Sequence, residues 1–223
     1  MSDRDRPNRV RRHPERGRYD RASVDSVLDA SLVAHVAFVD AGQPYCIPML
    51  KARVADTLYV HGSSASRTLR LLGAGVPACV TVTAIDGLVL ARSAFEHSAN
   101  YRSAILLGAF RPVKGKAERL AALEAFTNTL VPGRWGEVRL PSERELKATA
   151  IVGLAIDQAA VKIRTGGPTD DDSPDADRDT WAGVVPISAR FEEPEPSPGL
   201  RADIPLAASV RKLLARDHGR PDG

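Results

Sequence analysis

The first group of residues that could perform chemistry is His61-Gly-Ser-Ser-Ala-Ser-Arg67. Three hydroxyls, a glycine and an arginine stand where a β-rich run changes to a helical pattern. Hydroxyls, backbone N–H groups and a guanidinium around one point suit the binding of a phosphate monoester. Serine also caps helices without any ligand. This segment alone therefore leaves an anion site and a structural helix cap as equal alternatives.

A second polar cluster, His97-Ser-Ala-Asn-Tyr-Arg-Ser103, precedes an apolar run. A solvated loop is the plain alternative, but two such clusters in one small chain favour a large polar ligand. Further on, Trp181 follows a long loop and stands near a glycine and a proline. Its ring could stack on another aromatic ring or pack in the core.

Several other chemistries lack their motifs. The histidines His35, His61 and His97 show no close metal-ligand spacing, so we expect no metal site. The sequence contains no nucleophile elbow, Walker A loop or dinucleotide-binding glycine motif, which argues against hydrolase, phosphoryl-transfer and Rossmann functions. Cys46 and Cys79 form no CxxC pair, and we expect both to be small core residues.

The elements that must position these clusters are mostly strands. A short helix capped by Ser23 comes first, and apolar residues then recur with a period of two. Hairpin-like connections predict an antiparallel, closed sheet. The predicted strands are 33–39, 44–54, 57–61, 78–84, 88–93, 103–113 and 151–164, and the predicted helices are 23–32, 68–72, 116–130, one opened by the Ser142 capping box, and 206–216.

A chain of 223 residues has room for one large domain. We expect a flexible basic arm at residues 1–18, the folded domain at 19–190, and a proline-rich linker with a short C-terminal helix at 191–223.

Charge gives little information about partners. The formal net charge is only +3, with an excess of four positive charges in residues 1–21 and of five negative charges in residues 170–179. This is too weak to indicate a nucleic-acid surface. No apolar run is long enough for a membrane span, and the N-terminus lacks a secretory h-region, so we expect a cytoplasmic protein with no membrane partner.

Taken in order, these segments resemble the flavin-nucleotide-binding branch of the pyridoxamine 5′-phosphate oxidase-like split barrels, which includes the nitroimidazole-resistance nitroreductases. The resemblance covers about residues 8–188. The segments that carry it are Gly42–Met49, Leu58–Ser63, Ser66-Arg67, Asp86–Ser93, His97–Ser103, Val131–Trp135, Lys162–Gly166 and Trp181–Val184.

The resemblance implies a mainly β fold, a six-stranded antiparallel Greek-key split β-barrel that forms a homodimer with FMN at the subunit interface. It also implies a set of residues around the flavin. Ile47, Pro48 and Met49 would run along the cofactor, His61, Gly62 and Ser63 would lie beside its ring and ribityl chain, Ser66 and Arg67 would hold its phosphate, Asn100, Tyr101, Arg102 and Ser103 would reach it from another strand, and Trp181 would border the ring or the substrate.

The implied function is an FMN-dependent oxidoreductase acting on a small molecule such as a nitro compound or a quinone, with NAD(P)H as a candidate electron donor. His61 is the candidate catalytic proton donor, and the alternatives are a water as donor and His61 as only a neighbour of the flavin ring. Residues 186–190 lack the signature that grips the vitamin B6 phosphate, which argues against that activity. The alternatives are a non-catalytic flavin-binding or sensing protein, and the same barrel with a deazaflavin or a haem, for which His61 and His97 are the candidate iron ligands.

Overall fold

The computed structural model describes residues 7–170 and 173–215. Within them lie ten strands and five α-helices. The strands are β1 (Gly17–Arg18), β2 (Val33–Asp40), β3 (Gln43–Val54), β4 (Thr57–Ser63), β5 (Pro77–Leu90), β6 (Ser98–Ala109), β7 (Arg111–Pro112), β8 (Thr149–Ala155), β9 (Ala159–Arg164) and β10 (Gly183–Pro186). The helices are α1 (Arg21–Asp29), α2 (Arg67–Gly73), α3 (Lys116–Leu130), α4 (Glu143–Ala148) and α5 (Ala208–Leu214).

The strands form one antiparallel sheet that curls on itself. The order is β1-β9-β6-β5-β2-β3-β4-β8-β7, with β10 added beside β5. Strands β9 and β8 are six steps apart, roughly 29 Å in a flat sheet. Only residues 156–158 join them, and such a link reaches roughly 14 Å. The two ends of the sheet therefore approach each other without pairing of β8 with β9. The split barrel that the resemblance implied is confirmed, whereas the closed sheet expected from the hairpin-like connections is wrong, because the ladder of strands stays open at this seam.

Strand β3 changes partners along its length. Residues 43–50 pair with β2, and residues 51–54 pair with β4. At the change, the side chain of Lys51 is buried and its ammonium donates to the carbonyl of Leu28 at the end of α1. Burial lowers the pKa of Lys51. This contact ties helix α1 to the point where the sheet splits.

Two apolar cores lie on opposite faces of β4. Leu58 and Val60 point into the main core inside the barrel. Tyr59 points the other way, into a smaller core beneath α3 that includes Ala52 and Phe126. Because side chains alternate along a strand, His61 continues the face of Tyr59 and lies under α3.

The ten described strands exceed the number expected, and among the longer strands two errors cancel. The predicted strands 78–84 and 88–93 are one strand, β5, which pairs with β6 through a bulge between Ile85 and Gly87. The predicted strand 151–164 is two strands, β8 and β9, separated by a polar turn at residues 156–158. Apart from the short strands β1, β7 and β10, seven remain, within the six or seven counted from the sequence.

Other local predictions were also tested. Helix α3 and the Ser142 capping box are confirmed. The cap of α1 is Asp20, not Ser23, since the Asp20 carboxylate accepts from the Ser23 N–H at 2.9 Å. The prediction that both cysteines are buried was wrong, because Cys46 is exposed and Cys79 is half-buried on the outer face of the sheet.

The C-terminal segment ends on a docked helix. The N–H of Ser209, in α5, donates to the carboxylate of Glu137 at 2.9 Å, and its hydroxyl donates to the same carboxylate at 2.5 Å. The side chain of Ser209 is buried. None of the described helices is long and apolar enough to cross a membrane.

Strand β8 should be sensitive to any side chain at Gly153. A Cβ there would lie 2.9 Å from the Thr57 methyl and 3.1 Å from the Tyr59 ring. We expect Gly153→Ala to lower the free energy of unfolding by about 1–3 kcal/mol in urea denaturation. Gly136→Ala is the control, because its Cβ would meet nothing within 4 Å. Equal stability of the two variants would contradict this packing.

Candidate functional site

The hydroxyls of the β4–α2 junction cap the backbone. Ser66 is the N-cap of α2, and its Oγ accepts from the Leu69 N–H at 3.4 Å. The Oγ of Ser63 accepts from the Ala65 N–H at 3.2 Å. The cap, one of the two alternatives left by the sequence, is thus present, and it leaves Arg67 exposed at the start of the helix.

Arg67 is an exposed cation held by two neighbours. Its guanidinium forms an ion pair with Asp40 and lies over the ring of Tyr45, 5.1 Å from the ring centroid. Hydrogen bonds to Asp40 and Tyr45 raise the pKa of Arg67. The side chain therefore stays charged, and a phosphate that bound here would compete with the carboxylate of Asp40.

The predicted cofactor strand runs beside β2. Ile47 and Met49 are partly buried and pack against the main core, and Pro48 between them is exposed on the outer face. A ligand on this face would meet Pro48 and backbone atoms.

His61 lines an apolar pocket beneath α3. Its ring centroid lies 4.1 Å from that of Phe126, and its Nδ1 is buried with no hydrogen-bond partner among the described residues. The pocket has a volume of about 480 Å³. Its walls are Leu50, His61, Leu123, Phe126, Thr127, Leu130, Trp135, Val138, Arg139, Pro141 and Glu145.

Burial determines the charge of His61. Desolvation lowers the pKa of its imidazole, so the ring is neutral at neutral pH. A neutral imidazole is a poor proton donor and a good metal ligand. The pocket thus holds the imidazole in its neutral form, which can coordinate a metal ion or accept a proton.

One rim of this pocket is polar. Arg139 donates to both carboxylate oxygens of Glu145, at 2.8 and 2.6 Å. Glu145 also accepts from the N–H of Ser142 in the capping box. These contacts lower the pKa of Glu145 and keep the pair ionised. The pocket therefore combines an apolar interior, one imidazole and a charged edge.

The second predicted cluster is engaged within the chain. Asn100 accepts from Arg164 at 2.6 Å and donates to the carbonyl of Gly166 at 3.1 Å. Arg102 binds both oxygens of Asp86, at 2.9 and 2.8 Å, which raises the pKa of Arg102. Asn100 therefore fastens the loop that follows β9, and Arg102 fastens the bulge of β5.

The remaining predicted residues lie near the same end of β5. Tyr101 and Ser103 alternate with Arg102 along β6, and Ser103 lies opposite Thr83 of β5. Trp181 is 65% exposed and precedes β10, which pairs with β5. Its indole lies so close to Gly183 that a Cβ there would be 3.0 Å from the ring.

Within one chain, the strand that carries Pro48 and the strand that carries Ser103 are not neighbours. Strands β2 and β5 lie between β3 and β6, which places those strands roughly 14 Å apart. Pro48 is exposed on the outer face, and the parity of Ser103 with the exposed Ile105 places it on that face as well.

Sequence reasoning missed most of the His61 pocket. Phe126 was assigned only to a helical face, and Trp135 belonged to a resembling segment without a role. Arg139 carried no signal at all. The available clue was the apolar face of α3, because such a helix face has to pack against apolar side chains of a strand, here those of β4.

The family model described as "Pyridoxamine 5'-phosphate oxidase" matches residues 20–163. No curated protein matches the chain.

Two solved structures are similar over nearly the whole chain. A flavocytochrome from Azotobacter vinelandii is 38% identical, with a TM-score of 0.85, and the match covers 92% of this chain and 94% of that one. An FAD and heme binding protein from Mycobacterium smegmatis is 42% identical, also with a TM-score of 0.85, over 89% of this chain and 97% of that one.

A more distant match shares the fold alone. A candidate 5-nitroimidazole antibiotic resistance protein from Bacteroides thetaiotaomicron is 20% identical, with a TM-score of 0.55, over 66% of this chain and 86% of that one.

Proposed function

The chain belongs to the pyridoxamine 5′-phosphate oxidase family, and from this premise we propose that it is a flavin-dependent oxidoreductase that also binds a haem on His61. The observation that carries the haem is the buried imidazole in an apolar pocket. The names of the two similar proteins, a flavocytochrome and an FAD and heme binding protein, support the same pairing of cofactors.

The pocket residues fit a haem. Leu123, Phe126 and Leu130 supply an apolar wall for a flat macrocycle, and His61 supplies a neutral nitrogen for iron. Arg139 at the rim can hold a propionate. No second histidine lines this pocket among the described residues, so His61 would be the one imidazole ligand from these walls.

His97 fits an iron site less well. It lies on an exposed turn, and its Nδ1 is 2.9 Å from the carbonyl oxygen of Ser93. It does not line the apolar pocket that contains His61. Among the two candidate ligands named from the sequence, His61 is therefore the one that we propose.

The flavin would bind on the outer face of the barrel. Pro48 and its neighbours in β3 present backbone to the cofactor, and Arg67 provides a cation for its phosphate. The residues assigned from the sequence concern the FMN portion of the cofactor, and FAD contains the same mononucleotide. A deazaflavin phosphate would meet the same arginine.

A homodimer would complete the flavin site. Pro48, His35, Thr81 and Ile105 form one row across four strands of the outer face. Ile105 is 41% exposed at the end of this row. A second copy packed across this face would cover it and bring β6 of one protomer to β3 of the other.

The cofactors would supply hydride, single-electron and oxygen chemistry, and the protein supplies their orientation and surroundings. Phe126 and the other apolar walls partly bury His61, which lowers the pKa of its imidazole. Because Arg67 lies on the exposed outer face, it supplies positive charge there without the free-energy cost of burying a charged side chain. The vitamin B6 oxidase reaction stays disfavoured, since residues 186–190 lack its phosphate-gripping signature.

Removing His61 should separate the two cofactors. We expect His61→Ala to lose the Soret absorbance of reconstituted haem and to keep its flavin, measured by absorbance and cofactor extraction. His97→Ala is the matched control and should keep both. A full complement of haem in His61→Ala, or a parent protein that takes up no haem, would contradict the assignment.

Arg67 and Asp40 should have opposite effects on flavin affinity. We expect Arg67→Ala to weaken flavin binding roughly tenfold or more, because a charge-assisted hydrogen bond is lost. Asp40→Asn should keep or tighten binding, because it frees the guanidinium. Fluorescence titration of FMN measures both. An unchanged affinity in Arg67→Ala would remove it from the phosphate site.

A charge on the outer face should break the dimer. We expect Ile105→Arg to sediment as a monomer with reduced flavin content and an unchanged far-ultraviolet circular dichroism spectrum. Leu200→Arg, a similarly exposed leucine in the C-terminal segment, should leave the dimer intact. A parent protein that sediments as a monomer would overturn the shared site.

A further inference from the structure

A second groove lies between α2, α4 and β8. Its volume is about 800 Å³, and none of its lining residues belongs to the His61 pocket. This volume is within the range of sites for small organic ligands, roughly 300–1,000 Å³. The flavin and haem assignments do not use it.

The floor of the groove is apolar. Leu69, Val113 and Leu146 line it, and each is at most 6% exposed. Val152 and Ile151 of β8 continue the same surface. A purely ionic ligand would gain nothing from such a floor, whereas a flat organic ring would.

Arg119 fixes the walls. Its guanidinium donates to the carbonyls of Val113, at 3.1 Å, and Thr149, at 2.7 Å, and also to that of Leu146. One side chain thus joins the start of β8, the end of α4 and the segment before α3. The groove is therefore shaped by the protein itself before any ligand enters.

The rim is strongly positive. Five cations and one carboxylate line the groove, a net of +4, compared with +3 for the whole chain. Lys116 is paired with Glu143. Arg70, Lys114 and Lys147 are exposed and make no ion pair or hydrogen bond within the described residues. These three cations surround an apolar floor and would attract an anion.

We propose that this groove binds an adenosine phosphate, with its phosphate at Arg70, Lys114 and Lys147 and its adenine on the apolar floor. Ser64 lines the groove and lies between Ser63, assigned to the ribityl chain of the flavin, and Ser66, assigned to its phosphate. The groove therefore adjoins the segment assigned to the flavin. The proposal rests on the proposed function, because a flavin-dependent oxidoreductase has two sources of an adenosine phosphate. One is the adenylate half of FAD, and the other is the adenylate half of a nicotinamide dinucleotide.

The test is a calorimetric titration of the full-length protein, loaded with FMN, with ADP. We expect the double variant Lys114→Ala/Lys147→Ala to bind ADP at least roughly tenfold more weakly than the parent. Lys114 makes no ion pair among the described residues and Lys147 interacts with Glu143 only through a weak coulombic attraction, so the fold should persist, which thermal melting checks. Arg9→Ala/Arg12→Ala, the same charge change at exposed residues of the N-terminal segment, should bind ADP like the parent.

Loading with FAD separates the two sources. If the groove takes the adenylate of FAD, FAD-loaded protein no longer binds ADP, and the double variant loses its preference for FAD over FMN. If it takes a nicotinamide dinucleotide, ADP binds both loaded forms, and the double variant has a higher KM for NADH or NADPH with an unchanged kcat.

Either result supports an adenosine phosphate site. No binding of ADP to the FMN-loaded parent, or equal affinity in the double variant, would overturn it. Flavin content is measured on the same samples and reports on the proposed function separately. If the protein takes up no flavin at all, the same titration on the flavin-free chain still decides whether the groove binds ADP.

Discussion

The link of three residues between β8 and β9 constrains the rest of the structure. It joins strands at opposite ends of the sheet order, so the sheet has to curl until its edges approach. Curling gives the sheet an inside, filled by the main core, and an outside that lacks a partner within one chain. Lys51 ties α1 to the place where β3 changes partners, which stabilises the opening.

This arrangement separates the two kinds of chemistry. The outer face is exposed and carries Arg67, which suits a charged ligand. The pocket beneath α3 is mostly apolar and contains the imidazole of His61, whose pKa is lowered by burial. Strand β4 contributes to both regions. His61, near the end of this strand, faces α3, and the chain then continues through residues 64–66 into the capped start of α2.

The sequence predicted what local patterns determine. Helix α3, the Ser142 capping box and the early strands follow from apolar spacing and caps, and the ordered set of motifs pointed to the correct family. It could not decide which face of a period-two strand is inside, so Cys46 and Cys79 were placed in the core although they lie on the outer face. Nor could it join Phe126 to His61, since that contact spans 65 residues and depends on how α3 crosses β4.

The ion pair between Arg67 and Asp40 means that any anion binding this guanidinium would compete with a carboxylate already beside it. A chloride ion or a singly charged organic acid would gain little, since one negative charge only replaces another. A phosphate monoester carries more charge and more acceptor oxygens, so it would gain more from the same arginine. The proposed anion site would therefore discriminate between anions by their charge, with Asp40 as an internal competitor.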